Sequence, residues 1–135
     1  MGTTITGQYS EQPRDANEDG FYEALDISVA VNLQQADKYL LSADLLASDG
    51  TFISYARREI EATSGSQNFG LSFPGEEIYS SRQDGPYQVT NVHLFRGDKV
   101  KLLADYTDDS YWTAVYSYED FAETPTVYLP VIVKD

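Results

Sequence analysis

Apolar and polar residues alternate along most of this chain. From Leu25 to Leu33 every second residue is apolar, and the same period returns from Tyr39 to Leu45. Successive side chains of a strand point to opposite faces of a sheet, so this period predicts half-buried strands. Ser48-Asp49-Gly50 has the composition of a tight turn and predicts a hairpin between residues 39–45 and 51–60, the start of a meander.

The strand pattern continues through most of the sequence. An opening strand is expected over 4–9 and a polar loop over 10–20. Further strands are expected over 68–73, 87–95, 100–105 and 111–118. No segment shows a convincing helical period. We therefore expect an all-β protein, an antiparallel β-sandwich of about 7–9 strands, with an open barrel as the alternative.

Composition agrees with one strand-rich domain. The 135 residues include eleven Tyr, six Phe and one Trp, residue types that favour strands. Without cysteine, neither disulfides nor thiolate metal sites can form. We expect a single module over 1–123, followed by a linker and an apolar tail over 124–135 that adds an edge strand or joins another segment.

The charge balance restricts the partners. The chain has 22 acidic and 9 basic residues and a formal charge of −13. Such a charge repels nucleic acid phosphates and anionic membrane surfaces and attracts cations. No apolar run approaches the roughly 18 residues of a membrane helix, so no membrane insertion is expected.

A calcium-type loop is the clearest chemical motif. Residues 15–20 read Asp-Ala-Asn-Glu-Asp-Gly and fit D-x-[DN]-x-[DN]-G, in which alternate side-chain oxygens converge on the ion. Asp15, Asn17 and Asp19 are therefore candidate Ca²⁺ ligands. Gly20 permits the bend that follows them, and Phe21 supplies a backbone carbonyl at the seventh position.

The ligand that closes the loop is less obvious. Glu23 occupies the ninth position and Asp26 the twelfth. Because a strand follows instead of a helix, each residue moves about 3.3 Å further from the ion, which favours Glu23 over Asp26. An acidic surface loop with this spacing by chance is the alternative. If an ion binds, we expect it to be structural and not catalytic.

These residues also carry a family resemblance. The loop runs directly into an alternating strand, and residues 84–89 read Asp-Gly-Pro-Tyr-Gln-Val. Together they resemble a β-sandwich module of secreted prokaryotic proteins that pairs a D-x-D-G-D-G-x-Y-D-type loop with a D-G-P-Y-x-V turn. The resemblance covers roughly residues 5–121. Asn17 and Glu23 each stand where the family usually has an aspartate, which keeps an oxygen ligand at both positions.

The resemblance implies a function and a location. Such modules are non-catalytic, calcium-binding accessory domains appended to extracellular proteases, adhesins or von Willebrand A-type proteins. It implies an extracellular or cell-surface location, with an adjacent domain of a longer parent protein, an extracellular protein or a glycan as partner. The tail over 127–133 is similar to the Y-L-P-hydrophobic ending of some secreted bacterial proteins.

Catalytic motifs are not evident in the sequence. His93 is the only histidine, so neither a histidine-based triad nor a two-histidine metal site can be assembled. The G-x-S-x-G motif is missing as well. Carboxylate pairs suited to glycoside hydrolysis have little specificity in so acidic a chain. We therefore expect no enzyme activity.

A carbohydrate-binding module is the alternative function. Aromatic side chains beside polar groups can form a sugar-binding platform. The candidate residues are Tyr106, Tyr111, Trp112, Tyr116 and Tyr118, beside Asp105, Asp108 and Asp109. Most such residues in a sandwich serve core or edge packing. Arg96-Gly97-Asp98 matches a tripeptide of some adhesion ligands, but its composition is also that of an ordinary turn.

Overall fold

The computed structural model describes residues 3–122, and strands dominate them. The strands are β1 Thr4–Arg14, β2 Ala24–Leu33, β3 Asp37–Leu46, β4 Phe52–Ala62, β5 Gly65–Pro74, β6 Gln88–Arg96, β7 Leu102–Thr107 and β8 Tyr111–Trp112. One helix, α1 Gly75–Ser81, follows β5, and a 3-10 turn spans Tyr118–Asp120. The predicted linker and edge strand over 124–135 lie outside the described residues.

The strands form two antiparallel sheets. One has the order β1-β2-β5, and the other has the order β4-β3-β6-β7 with β8 beside β6. This arrangement confirms the predicted all-β antiparallel sandwich. The expected meander is wrong, because β4 pairs with β3 but the chain then crosses to the other sheet as β5. Alternation predicts which face of a strand is buried but not which sheet it joins.

The core lies between the two sheets and is built from the predicted alternation. On β2 the residues Leu25 to Leu33 that face inward are at most 3% exposed, and on β3 those from Tyr39 to Leu45 are fully buried. In the same core lie Phe69, Leu71 and Phe73 of β5, which are similarly buried. Burying each such large side chain stabilises the fold by about 1.5–3 kcal/mol.

The first strand is longer than predicted. Residues 10–14, expected in a loop, continue β1, and their pairing with β2 ends at Arg14 opposite Ala24. Pro13 is tolerated because β1 has a partner on one side only. The candidate calcium loop therefore begins directly at the end of a paired strand.

The end of the described chain also differs from the prediction. Only Tyr111 and Trp112 of the expected strand over 111–118 are in a strand. The following segment packs across one end of the sandwich, where Phe121 is fully buried. Helix α1, which was not predicted, lies at the same end and buries Ile78. With seven residues it is too short to show a helical period.

Helices that could cross a membrane are not found among residues 3–122.

Candidate metal centre

The candidate loop joins β1 to β2, and backbone hydrogen bonds fix its second half. Glu23 N donates to Arg14 O at 2.8 Å, and Gly75 N donates to Glu23 O at 2.7 Å. A Cβ at Gly75 would collide with Tyr22 O and approach Glu23 O to 2.9 Å, so only glycine fits there. Glu23 is thus held where β1, β2 and the start of α1 meet.

The neighbouring residue ties the loop to the end of the described chain. Tyr22 N donates to Asp120 O at 2.9 Å, and Tyr22 O accepts from Ala122 N at 2.8 Å. The Tyr22 ring packs edge-on against Phe121, with ring centroids 5.4 Å apart. The loop is therefore anchored to a fully buried aromatic residue more than ninety positions away in sequence.

The first half of the loop folds back on its own side chains. The Asp15 carboxylate accepts from Asp19 N at 3.2 Å and from Gly20 N at 3.0 Å. Asp19 Oδ1 accepts from Phe21 N at 2.9 Å. Glu18 and Gly20 have positive φ angles, 58° and 91°. These bends accompany the return of Asp15 and Asp19 to a common side of the loop.

Three acidic residues converge as a result. One carboxylate oxygen from each of Asp15, Asp19 and Glu23 lies within 4.8 Å of the others. Asp19 is exposed, whereas Asp15 and Glu23 are partly buried. Like charges at this separation repel, and a cation between them removes that cost.

Glu23 shows the most informative contact. Its Oε1 accepts from Ala16 N at 2.7 Å. Its Oε2 is buried and has no hydrogen-bond partner among the described residues. A buried carboxylate oxygen without a donor is costly, and coordination of a metal ion would offset that cost. The donor set, which consists of oxygens alone, therefore fits a hard divalent cation.

The remaining predicted ligands are Asn17, Phe21 and Asp26, and only the first two lie in the loop. Asn17 lies in the loop, and its Oδ1 accepts from Asp19 N at 3.3 Å. The Phe21 side chain is exposed, as expected for a residue proposed to act through its carbonyl. Asp26 does not join the acidic group, because it forms an ion pair with Arg14 at 2.9 Å.

Asp26 is the main electrostatic partner of the Arg14 guanidinium. The hydrogen bond and the charge of Asp26 raise the pKa of Arg14, and Glu23 makes the smallest contribution. The acidic group therefore keeps a negative charge that Arg14 does not balance. Sequence spacing favoured Glu23 over Asp26, but it carried no signal for the Arg14 contact.

Most of the predicted aromatic platform serves packing. Tyr111 and Tyr116 both donate their hydroxyls to Glu11, with a Tyr111–Glu11 distance of 2.6 Å. Burial, together with the Glu11 hydrogen bond, raises the pKa of Tyr111 to about 12. The same causes raise the pKa of Tyr116. Glu11 also accepts from Ala114 N, so it fastens the segment after β7 to β1.

Sequence reasoning missed Glu11 because it placed this residue in a loop. Of the other candidates, Tyr118 packs edge-on against Tyr79, with centroids 5.6 Å apart. Tyr106 and Trp112 remain 43% and 49% exposed. The five aromatic residues therefore do not form one exposed surface.

The Asp84-Gly85-Pro86 turn also supports this aromatic segment. Gly85 N donates to Tyr116 O at 2.7 Å. Asp84 Oδ1 accepts from Tyr118 N at 3.0 Å. The turn that contributes to the family resemblance thus holds residues 116–118 against the sandwich.

The Arg-Gly-Asp tripeptide forms an ordinary hairpin tip. Arg96 pairs with Asp37 at 3.3 Å, and Asp98 pairs with Lys38 at 3.2 Å. Gly97 has φ 115°, which the turn requires. Both charged side chains are engaged within the domain.

Comparisons with known proteins show the fold alone. No family model matches the chain, and no curated protein matches it in sequence. A calcium-binding mutant of Bacteroides uniformis β-glucuronidase 2 has a similar structure, with 17% identity and a TM-score of 0.50. The match covers 84% of this chain and 14% of that enzyme. A β-glucosidase from Streptomyces venezuelae, DesR, solved with D-glucose, has 13% identity and a TM-score of 0.30 over 78% of this chain and 15% of that one.

Proposed function

We propose that this chain is a non-catalytic, calcium-binding accessory domain of a longer extracellular or cell-surface protein. Glu23 carries the proposal, because it lies in one acidic group with Asp15 and Asp19 and its buried Oε2 has no partner among the described residues. These three residues would hold the ion. Asn17 and the Phe21 carbonyl lie in the same loop and are candidates to complete its oxygen shell.

Calcium suits this loop better than magnesium. Calcium accepts six to eight oxygens in flexible geometry, whereas magnesium requires a nearly ideal octahedron and keeps several waters. A short loop with one exposed carboxylate and two partly buried ones offers irregular oxygen ligands. Extracellular modules bind calcium with dissociation constants of about 10⁻⁴–10⁻³ M, and a partly exposed site is compatible with that range.

The expected role of the ion is to stabilise one end of the sandwich. Glu23 connects to β1 through Arg14 and to α1 through Gly75, and Tyr22 connects to Asp120. An ion that binds only the folded loop stabilises all of these connections by mass action. The end of the domain where residues 113–122 pack would then be more stable in calcium than in chelator.

The comparisons are compatible with an accessory role. The chain spans about one seventh of the length of the similar glucuronidase, a calcium-binding mutant. At 17% identity this likeness supports the fold, and the calcium function rests on the loop. The neighbouring domain and any glycan or protein partner follow from the resemblance of the loop and the D-G-P-Y turn.

The test compares thermal unfolding in calcium, in magnesium and in chelator. The variant is Asp19→Asn, which keeps the shape and the Phe21 contact and removes one charge. The control is Glu18→Gln, which removes an equal charge from the same loop outside the acidic group. Calcium should raise the melting temperature of the wild type and the control, and much less that of Asp19→Asn. Equal calcium shifts in all three proteins would contradict the proposal.

A further inference from the structure

A second candidate site lies on the outer face of the β4-β3-β6-β7 sheet. Because Tyr39, Leu41, Ala43 and Leu45 face the core, Ser42 and Asp44 of β3 face away from it. Asp44 is paired with Tyr55 of β4, and Ser42 is paired with His93 of β6. With Asn91 and Phe95 they line an open cavity of about 350 Å³, the lower end of the usual range for ligand pockets.

A β-bulge shapes the floor of this cavity. The β3–β6 register shifts between Ser42 and Asp44, so that their partners are His93 and Thr90. Asn91 lies in the bulge with φ 52°, a left-handed conformation that is uncommon for residues other than glycine and that asparagine tolerates best. Such strained positions concentrate at ligand sites.

The Asn91 side chain is held in a defined orientation. Its Nδ2 donates to Asp44 Oδ2 at 3.0 Å, and its Oδ1 accepts from the Tyr106 hydroxyl at 3.2 Å. The second Nδ2 hydrogen and Asp44 Oδ1 have no partner among residues 3–122. The cavity thus offers a fixed donor and a fixed acceptor side by side.

His93 adds another acceptor. Its Nδ1 lies 3.1 Å from Asn91 O, and because a carbonyl only accepts, the proton in this contact belongs to Nδ1. A ring that carries its proton on Nδ1 presents Nε2 as an acceptor. The ring packs against Tyr106 with centroids 4.5 Å apart and stacks on Phe95 at 5.9 Å, which fixes its orientation.

Exposed aromatic rings border these polar groups. Tyr55 is 51% exposed at one side of the cavity, and Tyr106, beside His93, is 43% exposed. Aromatic faces next to oriented hydrogen-bonding groups match a pyranose, which has an apolar C–H face and a rim of hydroxyls. Among residues 3–122 no Lys or Arg lines the cavity, and Asp44 is acidic, so anionic sugars are disfavoured.

We propose that this cavity binds a neutral saccharide, with Tyr55 stacking on the sugar ring and Asp44, Asn91 and His93 binding its hydroxyls. The proposal is independent of the calcium loop, which lies at the junction of β1 and β2 and contributes no residue to the cavity. It also differs from a platform over 106–118, which contributes no lining residue to the cavity; Tyr106 only contacts Asn91 and His93 from outside it.

The test titrates neutral gluco-, xylo- and manno-oligosaccharides into the isotope-labelled chain and follows backbone amide resonances. We expect shifts at Asp44, Tyr55, Asn91 and His93 for at least one saccharide. Tyr55→Ala should weaken that binding roughly tenfold, and Tyr55→Phe should retain it. The control Phe52→Ala removes an equally exposed aromatic side chain from the same strand, outside the cavity, and should bind normally.

Three results would overturn the proposal. The first is no shift at these amides with any saccharide of the panel. The second is equal loss of binding in Phe52→Ala and Tyr55→Ala. The third is concentration-dependent self-association that Tyr55→Ala abolishes, which would show that this face binds a second copy of the chain.

Discussion

Replacing Glu23 with glutamine should change the free energy of unfolding in opposite directions with and without calcium. Gln keeps an oxygen acceptor for Ala16 N and replaces the unpartnered Oε2 with a neutral amide. Without calcium the change removes repulsion from Asp15 and Asp19. Two unit charges 4.8 Å apart repel by about 1 kcal/mol at the dielectric constant of water, and salt reduces this value.

Loss of the Glu23–Asp15 and Glu23–Asp19 repulsions together should raise the free energy of unfolding of Glu23→Gln in chelator by about 1–2 kcal/mol. For a domain of this size that gain corresponds to a rise in melting temperature of about 4 °C per kcal/mol. In calcium the wild type should instead be more stable than Glu23→Gln. An ion at a hundred times its dissociation constant stabilises the wild type by about 2.7 kcal/mol, and the variant loses a carboxylate ligand.

Thermal unfolding followed by circular dichroism, with and without calcium, measures both differences in one experiment. Glu18→Gln is the matched control, because it makes the same chemical change in the same loop and should not reverse the order. If Glu23→Gln lowers the melting temperature equally in chelator and in calcium, Glu23 stabilises the loop through hydrogen bonds alone. The inference that the unpartnered Glu23 Oε2 binds a metal ion is then wrong.

Three further predictions follow from contacts outside the acidic group. Asp26→Asn breaks an exposed ion pair with Arg14, and should cost about 0.2–1 kcal/mol equally in calcium and in chelator; a loss confined to calcium would make Asp26 a ligand. Phe121→Ala empties a fully buried position and should lower the free energy of unfolding in urea by about 3–5 kcal/mol. A loss below about 1 kcal/mol would contradict the packing of residues 113–122 against the sandwich. Tyr111 keeps its proton in the fold to about pH 12 but loses it near pH 10 in the unfolded chain, so the native state binds more protons and stability should fall between about pH 10 and 12. The urea midpoint across this window, compared with that of Tyr111→Phe, measures the effect, and equal slopes would refute it.

The central strands were predictable because their burial follows directly from sequence. On β2 and β3 each inward residue is apolar, on β2 it alternates with a polar or small one, and both strands lie in the interior of a sheet. By contrast, β1 is an edge strand with Pro13 and many polar residues, so its pairing with β2 was not visible locally. The expected strand over 111–118 failed because Tyr116 is partly buried by stacking on Tyr87 and not by alternation.

The acidic loop was partly predictable. Local spacing identified Asp15, Asp19 and Glu23, because a short loop that turns back brings residues four positions apart together. The same spacing could not show that Arg14 engages Asp26, since that contact depends on the end of β1. Long-range contacts, such as those that anchor Tyr22 to Asp120, have no signature in a single sequence.

The most direct test of the calcium proposal is calorimetric titration of Ca²⁺ into chelator-stripped protein, read together with the amide resonances of the loop. The account predicts one bound ion per chain and shifts centred on Ala16, Asp19 and Gly20, with little heat from Mg²⁺ under the same conditions. The absence of binding heat, or shifts spread over the whole acidic surface without a single site, would contradict it.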